Sequence, residues 1–213
     1  RNLSLRKSFP DALLTFGEFW SEQLTFPFPT VTVGKPYFNE RIQAQNSLDQ
    51  RPEQVLVVSS VHEPDKTEAT VLAMRKKLDP KWNIAFRPHP SERQTVSTRY
   101  PGLAAASGIT FDLETDVYTS LSVSRVVIGI ASTVLYEALG MGCVVIVQRT
   151  NKTPLYIDES LFPLIVATGD ELAALMPEID QFATPAKLAD PIIKRVWAPT
   201  DNTFIVERLA SVR

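Results

Sequence analysis

Apolar runs alternate with helix-like, amphipathic stretches throughout residues 54–176 of this sequence. The run QVLVVSS at 54–60 is rich in β-branched residues and lacks polar alternation. Such a run is typical of a strand that is buried on both faces of a parallel sheet. Comparable apolar runs predict further strands at 82–86, 109–111, 125–130, 143–148 and 162–167.

A helical pattern follows most of these predicted strands. In the stretch 65–78, Val71 and Met74 fall on one helix face, and Asp65 and Glu68 have the spacing of a capping box. Because strands and helices alternate, the sequence predicts an α/β fold with a doubly wound, Rossmann-like parallel sheet and right-handed crossovers. Further helices are predicted near 100–106, 116–124, 132–142 and 169–176.

The pattern differs at both ends of the chain. Short apolar runs at 11–16 and 30–33 predict two strands, and the polar stretch at 44–54 is typical of a linker. After residue 177 the sequence is mostly helical, with several proline interruptions. We therefore expect two parts, residues 1–50 and residues 51–213.

Composition and charge narrow the class of protein. The chain has 213 residues, of which 44% are hydrophobic and 22% charged, and its formal net charge is −2. A net charge this small provides no basic field, so we expect no nucleic-acid partner. No apolar run reaches the roughly 18 residues of a membrane span, and no signal peptide opens the chain, so we expect a cytoplasmic location. Peripheral contact with the inner membrane stays open, because basic residues are scattered in the tail at Lys187, Lys194, Arg195 and Arg208.

Two single residues add to these expectations. Cys143 is the only cysteine and lies in an apolar run, so its expected role is that of a small buried hydrophobe. The chain begins with Arg1 rather than methionine, which favours a trimmed or partial chain.

The first candidate for chemistry is His89, in the segment RPHP directly after the strand predicted at 82–86. Pro88 and Pro90 lack the backbone N–H that a sheet ladder needs, and Pro90 keeps His89 out of the helical conformation. The sequence thus places His89 on a stiff loop at the carboxyl end of a strand, where open parallel sheets bind ligands. As an imidazolium it can donate hydrogen bonds to phosphate oxygens and offset charge on a departing nucleotide. The alternative is an ordinary polar turn residue.

The segment GIASTVLYEALGMG, residues 129–142, predicts a helix that begins just after a buried strand. Ser132 is placed as its N-cap, and the free N–H groups and positive dipole of such a terminus suit a phosphate. The hydroxyls of Ser132 and Thr133 can add hydrogen bonds. Glu137 shares a helix face with Thr133 and can accept hydrogen bonds from ribose hydroxyls. Simple capping by Ser132 and a solvent-facing Glu137 explain the same residues equally well.

Other polar residues follow strands at the same edge. Arg87 opens the RPHP segment, two positions before His89, and can share the phosphate charge, although a structural ion pair with an acid such as Asp112 is the interpretation that we favour. Glu114 and Asp116 also follow the strand at 109–111. The weaker candidates, which follow the first strand of the regular pattern, are Ser59, Ser60 and His62.

Several common sites are absent from the sequence. There is no GxxxxGK[ST] loop, and no GxGxxG follows the first strand, so ATP hydrolysis and nicotinamide redox chemistry are not expected. No His or Cys cluster has metal-ligand spacing, and the GxSxG elbow of hydrolases is missing. We therefore expect neither a metal ion nor a cofactor.

The combination of RPHP, an acidic residue before a short helix, and STVLYEALGMG resembles the C-terminal nucleotide-binding domain of GT-B glycosyltransferases. The motifs are most similar to those of the bacterial surface-polysaccharide group: sialyl- and polysialyltransferases, Kdo transferases and CDP-glycerol glycerophosphotransferases. In that group an HP motif and a Ser-Ser or Ser-Thr pair hold the phosphate of a cytidine nucleotide, and an intervening acidic residue contacts the base or ribose. The resemblance covers residues 54–176.

The resemblance assigns roles to the phosphate motifs first. His89 with Pro90 matches the HP motif, which implies that His89 stabilises the leaving phosphate. Ser132 with Thr133 matches the hydroxyl pair, which implies that both anchor that phosphate.

The resemblance also implies contacts with the nucleoside. Asp116 best matches the intervening acidic position because it opens the short helix DVYTSLSVS, with Asp112 and Glu114 as alternatives. Glu137 resembles the helix glutamate that binds ribose in many GT-B enzymes.

The activity that this resemblance implies is a metal-independent, inverting glycosyltransferase of capsule or lipopolysaccharide biosynthesis. It would take a CMP- or CDP-linked sugar donor and a glycan acceptor. Residues 1–50 would be the remnant of the N-terminal GT-B domain with its linker, and residues 51–213 the donor-binding domain with C-terminal crossing helices. Because the acceptor site and catalytic base usually lie in the N-terminal domain, we expect this chain to be inactive alone.

Two further functions stay open at this point. A UDP-sugar enzyme of the same fold, such as a UDP-N-acetylglucosamine 2-epimerase, would recognise uridine in place of cytidine. A non-catalytic nucleotide-binding module of a larger polysaccharide machine would bind nucleotide without turnover. A nucleotide-binding assay over both bases separates the first alternative from the cytidine-dependent transferase.

Overall fold

The computed structural model describes residues 9–23, 25–43, 50–151, 153–182, 191–200 and 202–210. The chain divides into two compact units. The first comprises Arg1–Ala44 and Leu188–Arg213, and the second comprises Gln45–Lys187. Each unit has its own parallel sheet, of two strands in the first and six in the second.

The six-stranded sheet of the second unit lies where the apolar runs predict it. Its order is β5-β4-β3-β6-β7-β8, and all neighbouring strands are parallel. This confirms the predicted α/β, Rossmann-like fold class. The strands are β3 (Gln54–Val58), β4 (Asn83–Arg87), β5 (Ile109–Phe111), β6 (Val126–Gly129), β7 (Val144–Gln148) and β8 (Leu164–Val166).

The strand order locates the binding edge of this sheet. From β3 at the centre of the sheet, the chain adds β4 and β5 on one side. It then returns to the centre, where β6 pairs with the other side of β3, and adds β7 and β8 beyond β6. The reversal between β3 and β6 is a topological switch point, where the loops after the two strands diverge and leave a crevice.

Short helices connect the strands of the second unit. We number the α-helices in chain order, and three 3₁₀ segments (Pro90–Thr95, Glu159–Leu161 and Met176–Glu178) supplement them. The second unit contains α3 (Pro64–Lys77), α4 (Val96–Arg99), α5 (Pro101–Ala105), α6 (Val117–Ser122), α7 (Thr133–Gly140), α8 (Thr153–Tyr156), α9 (Gly169–Leu175) and α10 (Ile179–Phe182).

The start of α3 corrects one local prediction. The N-cap is Glu63, which makes no side-chain capping bond, and Asp65 lies within the first turn, so the predicted capping box is wrong. Glu68 instead accepts the backbone N–H of Leu103 at 3.1 Å and thereby ties α3 to α5. The predicted apolar face is present, since Val71 and Met74 are buried in the core.

The core of the second unit packs the apolar faces of helices onto the sheet. Alternate residues of β3 and β4, among them Val55, Ile84 and Phe86, join side chains of α3 and α9 in one buried cluster. Cys143 is also fully buried, and this burial raises the pKa of its thiol to about 11. The interpretation of Cys143 as a buried residue agrees with this position.

The first unit combines both ends of the described chain. It contains β1 (Leu13–Thr15) parallel to β2 (Thr30–Thr32), at the positions that the short apolar runs predict. An aromatic cluster that includes Trp20 and Trp197 joins the N-terminal and C-terminal segments of this unit. The indole of Trp20 donates to the carbonyl of Val196 at 2.9 Å. Its helices are α1 (Glu18–Glu22), α2 (Pro36–Gln43), α11 (Pro191–Val196) and α12 (Asn202–Ala210).

Among the described residues, no helix has the length and apolar character needed to cross a membrane. Of the linker predicted at 44–54, residues 44–49 lie outside the described residues. Arg51, which that prediction places in the linker, is buried and donates to the carbonyls of Leu121, Ser124 and Met141. Residue 51 therefore belongs structurally to the second unit.

Candidate functional site

A cavity of about 360 Å³ opens at the carboxyl ends of β3, β4, β5 and β6. All of its lining residues belong to the second unit, and they include the first residue beyond β3 and the N-cap of the helix after β6. The cavity thus occupies the switch point of the sheet. Its lining comprises Val58, Ser59, Arg87, Pro88, His89, Pro90, Arg93, Thr115, Asp116, Val117, Ser132 and Val134.

Four of the six predicted site residues line this cavity: Arg87, His89, Asp116 and Ser132. Thr133 and Glu137 are not among the lining residues. Thr133 is exposed at the first position of α7, whereas Glu137 is buried. The structure therefore brings most of the predicted set together around one cavity and places two members beside it.

Ser132 begins helix α7, as its spacing predicts. Its hydroxyl accepts the backbone N–H of Val134 at 3.2 Å, so Ser132 is the N-cap of an eight-residue helix. The Leu135 N–H bonds to the Ser132 carbonyl at 3.1 Å, whereas the Thr133 N–H has no acceptor among the described residues. The helix dipole places positive potential at this helix start. The cavity wall at Ser132 therefore has the character of an anion site.

His89 caps the 3₁₀ segment Pro90–Thr95. Its Nδ1 accepts the backbone N–H of Ser91 at 3.3 Å and lies 2.8 Å from the Ser91 hydroxyl. Because a backbone N–H can only donate, the proton of the neutral ring belongs on Nε2. Both ring contacts within the described residues use Nδ1, which leaves Nε2 as the nitrogen available to a ligand. His89 is therefore held by one nitrogen while the other can donate.

A buried carboxylate, Glu92, holds the backbone at His89. Its Oε2 accepts the His89 backbone N–H at 3.0 Å and the Ser59 hydroxyl at 2.5 Å. Its Oε1 accepts the Tyr100 hydroxyl at 3.0 Å and pairs with Arg99 Nε at 2.5 Å. Glu92 thus completes a capping box with His89 and links the loop to the end of β3.

The pKa of Glu92 reflects this setting. Burial favours the neutral acid and would raise the pKa, since the residue is only 3% exposed. The hydrogen bonds from Ser59, His89 and Tyr100, with the positive charge of Arg99, outweigh that effect and lower the pKa below its ordinary value of 4.5. Glu92 is therefore a carboxylate at neutral pH and makes all four of these contacts.

Arg87 forms the buried ion pair that its sequence position suggested. Its Nη1 donates to Asp112 Oδ2 at 2.8 Å and to the Ser120 hydroxyl at 2.9 Å, and its Nη2 reaches the Thr115 carbonyl at 3.4 Å. These bonds join the end of β4 to the loop after β5 and to α6. Because Asp112 balances its charge, Arg87 is chiefly a positioning residue of the cavity wall.

Asp116 and Glu137 are connected through Tyr118. The Asp116 side chain accepts the Tyr118 backbone N–H at 3.0 Å, which makes Asp116 the N-cap of α6. The Tyr118 hydroxyl donates to Glu137 Oε1 at 2.7 Å. Glu137 is buried, so the alternative of a solvent-facing helix residue is wrong.

Sequence reasoning missed Arg93, a second arginine in the cavity lining. Its Nη2 donates to the Glu114 carbonyl at 2.9 Å. Its Nε is buried and has no hydrogen-bond acceptor within the described residues. The Glu114 carboxylate turns back to the N–H of Thr115 at 2.7 Å. The only available signal was the sequence SER after RPHP, which by itself indicates nothing about which side chains reach the cavity.

The weaker candidates separate into two kinds. Ser59 lines the cavity and hydrogen-bonds to Glu92, whereas Ser60 and His62 are not among the lining residues. His62 is exposed. Within the described ranges, no group of three or more His, Cys, Asp or Glu side chains is arranged to hold a metal ion.

Several solved structures share the fold of this chain at low sequence identity. One similar structure is the UDP-GlcNAc 2-epimerase of Neisseria meningitidis bound to UDP-GlcNAc, with 15% identity over 99% of this chain and a TM-score of 0.56. Another is HepE of Anabaena in complex with UDP and glucose, with 13% identity over 99% of this chain and a TM-score of 0.56. The pneumococcal O-GlcNAc transferase GtfA, in complex with UDP and GlcNAc, has 11% identity over 97% of this chain and a TM-score of 0.55.

At these identities the likeness establishes the fold and not the reaction. The chain spans 67% of the Neisseria epimerase, 65% of HepE and 46% of GtfA. No protein-family model matches the sequence. No curated protein matches it either.

Proposed function

We propose that the cavity binds the phosphate of a nucleotide sugar and that this chain is the donor-binding part of a GT-B glycosyltransferase. The observation that carries the proposal is the presence of His89 and of the N-terminus of α7, capped by Ser132, in the wall of one cavity at the switch point. Both are hydrogen-bond donors to an anion, and they come from loops after different strands.

Each predicted residue has a role in this proposal. His89 donates from Nε2 to the phosphate that leaves with the nucleotide, and thereby offsets the charge that grows as the glycosidic bond breaks. Ser132 and the backbone N–H of Thr133 anchor the same phosphate, and the Thr133 hydroxyl adds a bond from the exposed side of the helix start. Arg87 and Glu92 hold the His89 loop in place from either side.

The nucleoside would lie toward Asp116 and Glu137. Asp116 is in the cavity wall, where its carboxylate can accept hydrogen bonds from a base or a ribose. Glu137 contacts a ribose hydroxyl in this proposal only if a ligand reaches past Tyr118, to which Glu137 is hydrogen-bonded. Asp116 is therefore the stronger of the two nucleoside contacts.

Two observations favour different nucleobases in the donor. The RPHP and Ser-Thr motifs resemble those of cytidine-dependent surface-polysaccharide transferases, which favours a CMP- or CDP-linked donor. The three similar structures contain UDP or UDP-GlcNAc, which favours a UDP-sugar enzyme such as a transferase or an epimerase. Cytidine is our first choice, since the motif resemblance concerns residues of this chain itself, whereas the similar structures share at most 15% identity with it.

In this proposal, the acceptor site and the catalytic base are provided by residues outside this chain. The similar proteins are longer, and an acceptor glycan would be bound by a further domain of the GT-B type. We therefore propose that the chain binds donor without transferring sugar by itself.

Calorimetric titration of the chain with CMP, CDP, UMP and UDP tests the proposal. We expect saturable binding, tighter for cytidine than for uridine nucleotides. His89→Ala should weaken that binding about tenfold, or about 1.4 kcal/mol, because the hydrogen bond from His89 Nε2 to the phosphate is lost. His62→Ala is the matched control, since it removes the only other histidine of the chain and should leave binding unchanged.

The outcomes separate the candidate functions. Uridine preference that depends on His89 would keep the site and replace the cytidine donor by a UDP-sugar. Equal effects of His89→Ala and His62→Ala would remove His89 from the site. Failure of all four nucleotides to bind at millimolar concentration would contradict the proposal.

A further inference from the structure

We propose that Arg93 binds a second phosphate of the donor, so that the cavity selects nucleoside diphosphate sugars over nucleoside monophosphate sugars. This inference rests on the proposed function and extends it from the presence of a phosphate site to the number of phosphates. It concerns a residue to which neither the sequence motifs nor the family resemblance assign a role.

The ion pairing of the two arginines in the cavity wall favours this role for Arg93. Arg87 is matched by Asp112 at 2.8 Å, so it adds little net positive charge to the cavity. Arg93 has a carbonyl as its hydrogen-bond partner, and no carboxylate pairs with it among the described residues. The guanidinium of Arg93 is thus a positive charge without an ion-pair partner in a wall that also contains the Asp116 carboxylate.

Arg93 also has unused hydrogen-bonding capacity. Its Nε–H is buried and lacks an acceptor within the described part of the chain. Leaving a buried donor unsatisfied costs free energy, and the cost is greater for a charged group. Because this Nε has no surface open to the cavity, a phosphate oxygen would bind the terminal nitrogens of the half-buried side chain instead. The guanidinium fork suits a phosphate, to which it can donate more than one bond.

The hydrogen-bond donors reach the cavity from separate parts of the chain. His89 and Arg93 belong to the same capped 3₁₀ segment, whereas Ser132 begins α7 beyond β6, so the donors reach the cavity from two separate loops. His89 and the start of α7 provide enough donors for one phosphate. Arg93 adds a full positive charge with unused hydrogen-bonding capacity, which a second phosphate would employ.

Arg93 is held where this role requires. Its Nη2 bond to the Glu114 carbonyl attaches it to the loop between β5 and α6. That loop is braced by Glu114, whose carboxylate accepts the N–H groups of Thr115 and Asp116 instead of pairing with Arg93. The charge is therefore preorganised and available to a ligand.

Titration of matched nucleotide pairs, CMP against CDP and UMP against UDP, tests the inference on wild type and Arg93→Gln. We expect the diphosphate to bind wild type about tenfold more tightly than the monophosphate of the same base. Arg93→Gln should reduce that ratio to about threefold or less and leave monophosphate affinity within about twofold. Arg93→Lys, which keeps the charge, should retain most of the ratio. These thresholds correspond to effects that calorimetry resolves.

Lys76→Gln is the charge-matched control. Lys76 lies near the end of α3, which runs from the carboxyl edge of the sheet back to the opposite edge, and it is exposed. Its loss removes one positive charge at a distance from the cavity and should leave the ratio unchanged. A melting curve for each variant establishes that it is folded before titration.

The results distinguish this inference from the proposed function. Suppose that wild type binds nucleotides, and that Arg93→Gln lowers the affinities for mono- and diphosphates equally or leaves both unchanged. The assignment of Arg93 to a second phosphate is then wrong, while the nucleotide site stands. If wild type binds none of the four nucleotides, both the proposed function and this inference are contradicted.

Discussion

At the residue scale, His89 depends on a carboxylate that carries no recognisable motif. Glu92 binds the His89 backbone, Ser59 at the end of β3, and Tyr100 and Arg99 beyond the 3₁₀ segment. It thereby fixes the loop on which His89 is displayed to the centre of the sheet. Glu92 is a positioning residue, since it acts on a ligand through His89.

Glu92→Gln should destabilise the second unit by about 2 kcal/mol at pH 7, since hydrogen bonds to a buried charged group are worth roughly 1.5–3 kcal/mol. Because folding lowers the pKa of Glu92, this contribution is present above its ordinary value of 4.5 and is lost as the pH falls through the folded pKa. Urea unfolding of both proteins at pH 7 and pH 3.5 measures the difference, which should be smaller at the lower pH.

Glu178→Gln provides the control for the loss of a carboxylate, because Glu178 is exposed. Its effect should stay within about 0.5 kcal/mol at both pH values. A pH-independent loss in Glu92→Gln, equal at pH 7 and pH 3.5, would mean that the charge of Glu92 does not stabilise the fold.

Sequence reasoning succeeds for site residues whose role is local. The capping role of Ser132 follows from a serine placed between a buried strand and an amphipathic helix. Glu92 and Arg93 could not be assigned in this way. The partners of Glu92 include Ser59, 33 positions away, and Arg93 bonds to Glu114, 21 positions away. Only the folded chain brings these groups together.

At the element scale, the junction of α3 and α9 depends on the absence of a side chain at Gly169. A Cβ at Gly169 would lie 2.5 Å from the carbonyl oxygen of Thr70 and 2.7 Å from the Cβ of Ala73, both on α3. The two helices therefore meet backbone to backbone at the start of α9. The periodicity of GDELAALM predicts the helix, but it does not indicate which surface the glycine meets.

Gly169→Ala should destabilise the protein by about 1–3 kcal/mol, because the added methyl group forces α9 away from α3. Urea unfolding monitored by circular dichroism measures the change. Asp170→Ala, one position along, removes an exposed ion pair with Lys77 and should cost at most about 1 kcal/mol. A Gly169→Ala protein as stable as wild type would show that the helices are not packed this closely.

The limits of local patterns are also visible in the first turn of α3. Asp65 and Glu68 have capping-box spacing, yet the helix begins earlier, at Pro64 after the N-cap Glu63. Proline is favoured in a first helical turn because its missing N–H has no partner there in any case. Tertiary contact then recruits Glu68 to the Leu103 N–H, which no local rule anticipates.

At the scale of the whole molecule, the site follows from the order of the strands. The apolar runs predict each strand and the parallel class, since all six are short and flanked by helices. They do not fix the order β5-β4-β3-β6-β7-β8, and that order is what brings the ends of β3 and β6 together as neighbours. The sequence could therefore predict an edge with candidate residues, and the fold reduces it to one cavity.

The division of the chain is a second property of this scale. The helices after residue 188 group with the N-terminal strands in the first unit, so both ends of the chain form one compact body. The sequence places a boundary at residue 50 and counts the tail with residues 51–213, as helices that cross back toward the N-terminal part. Periodicity alone carries no information on which body a helix joins. The assignment of residues 1–50 to an N-terminal GT-B domain stays a prediction.

The central claim is that a nucleotide phosphate binds at His89 Nε2 in the cavity of the second unit. Histidine side-chain NMR of the ¹⁵N-labelled chain tests it most directly, because the only histidines are His62 and His89. We expect the neutral His89 ring to carry its proton on Nε2, and its signals to shift and saturate as CDP or UDP is added. His62, exposed and outside the cavity lining, should respond little. Signals of His89 that stay unchanged at saturating nucleotide, or that move no more than those of His62, would contradict the claim.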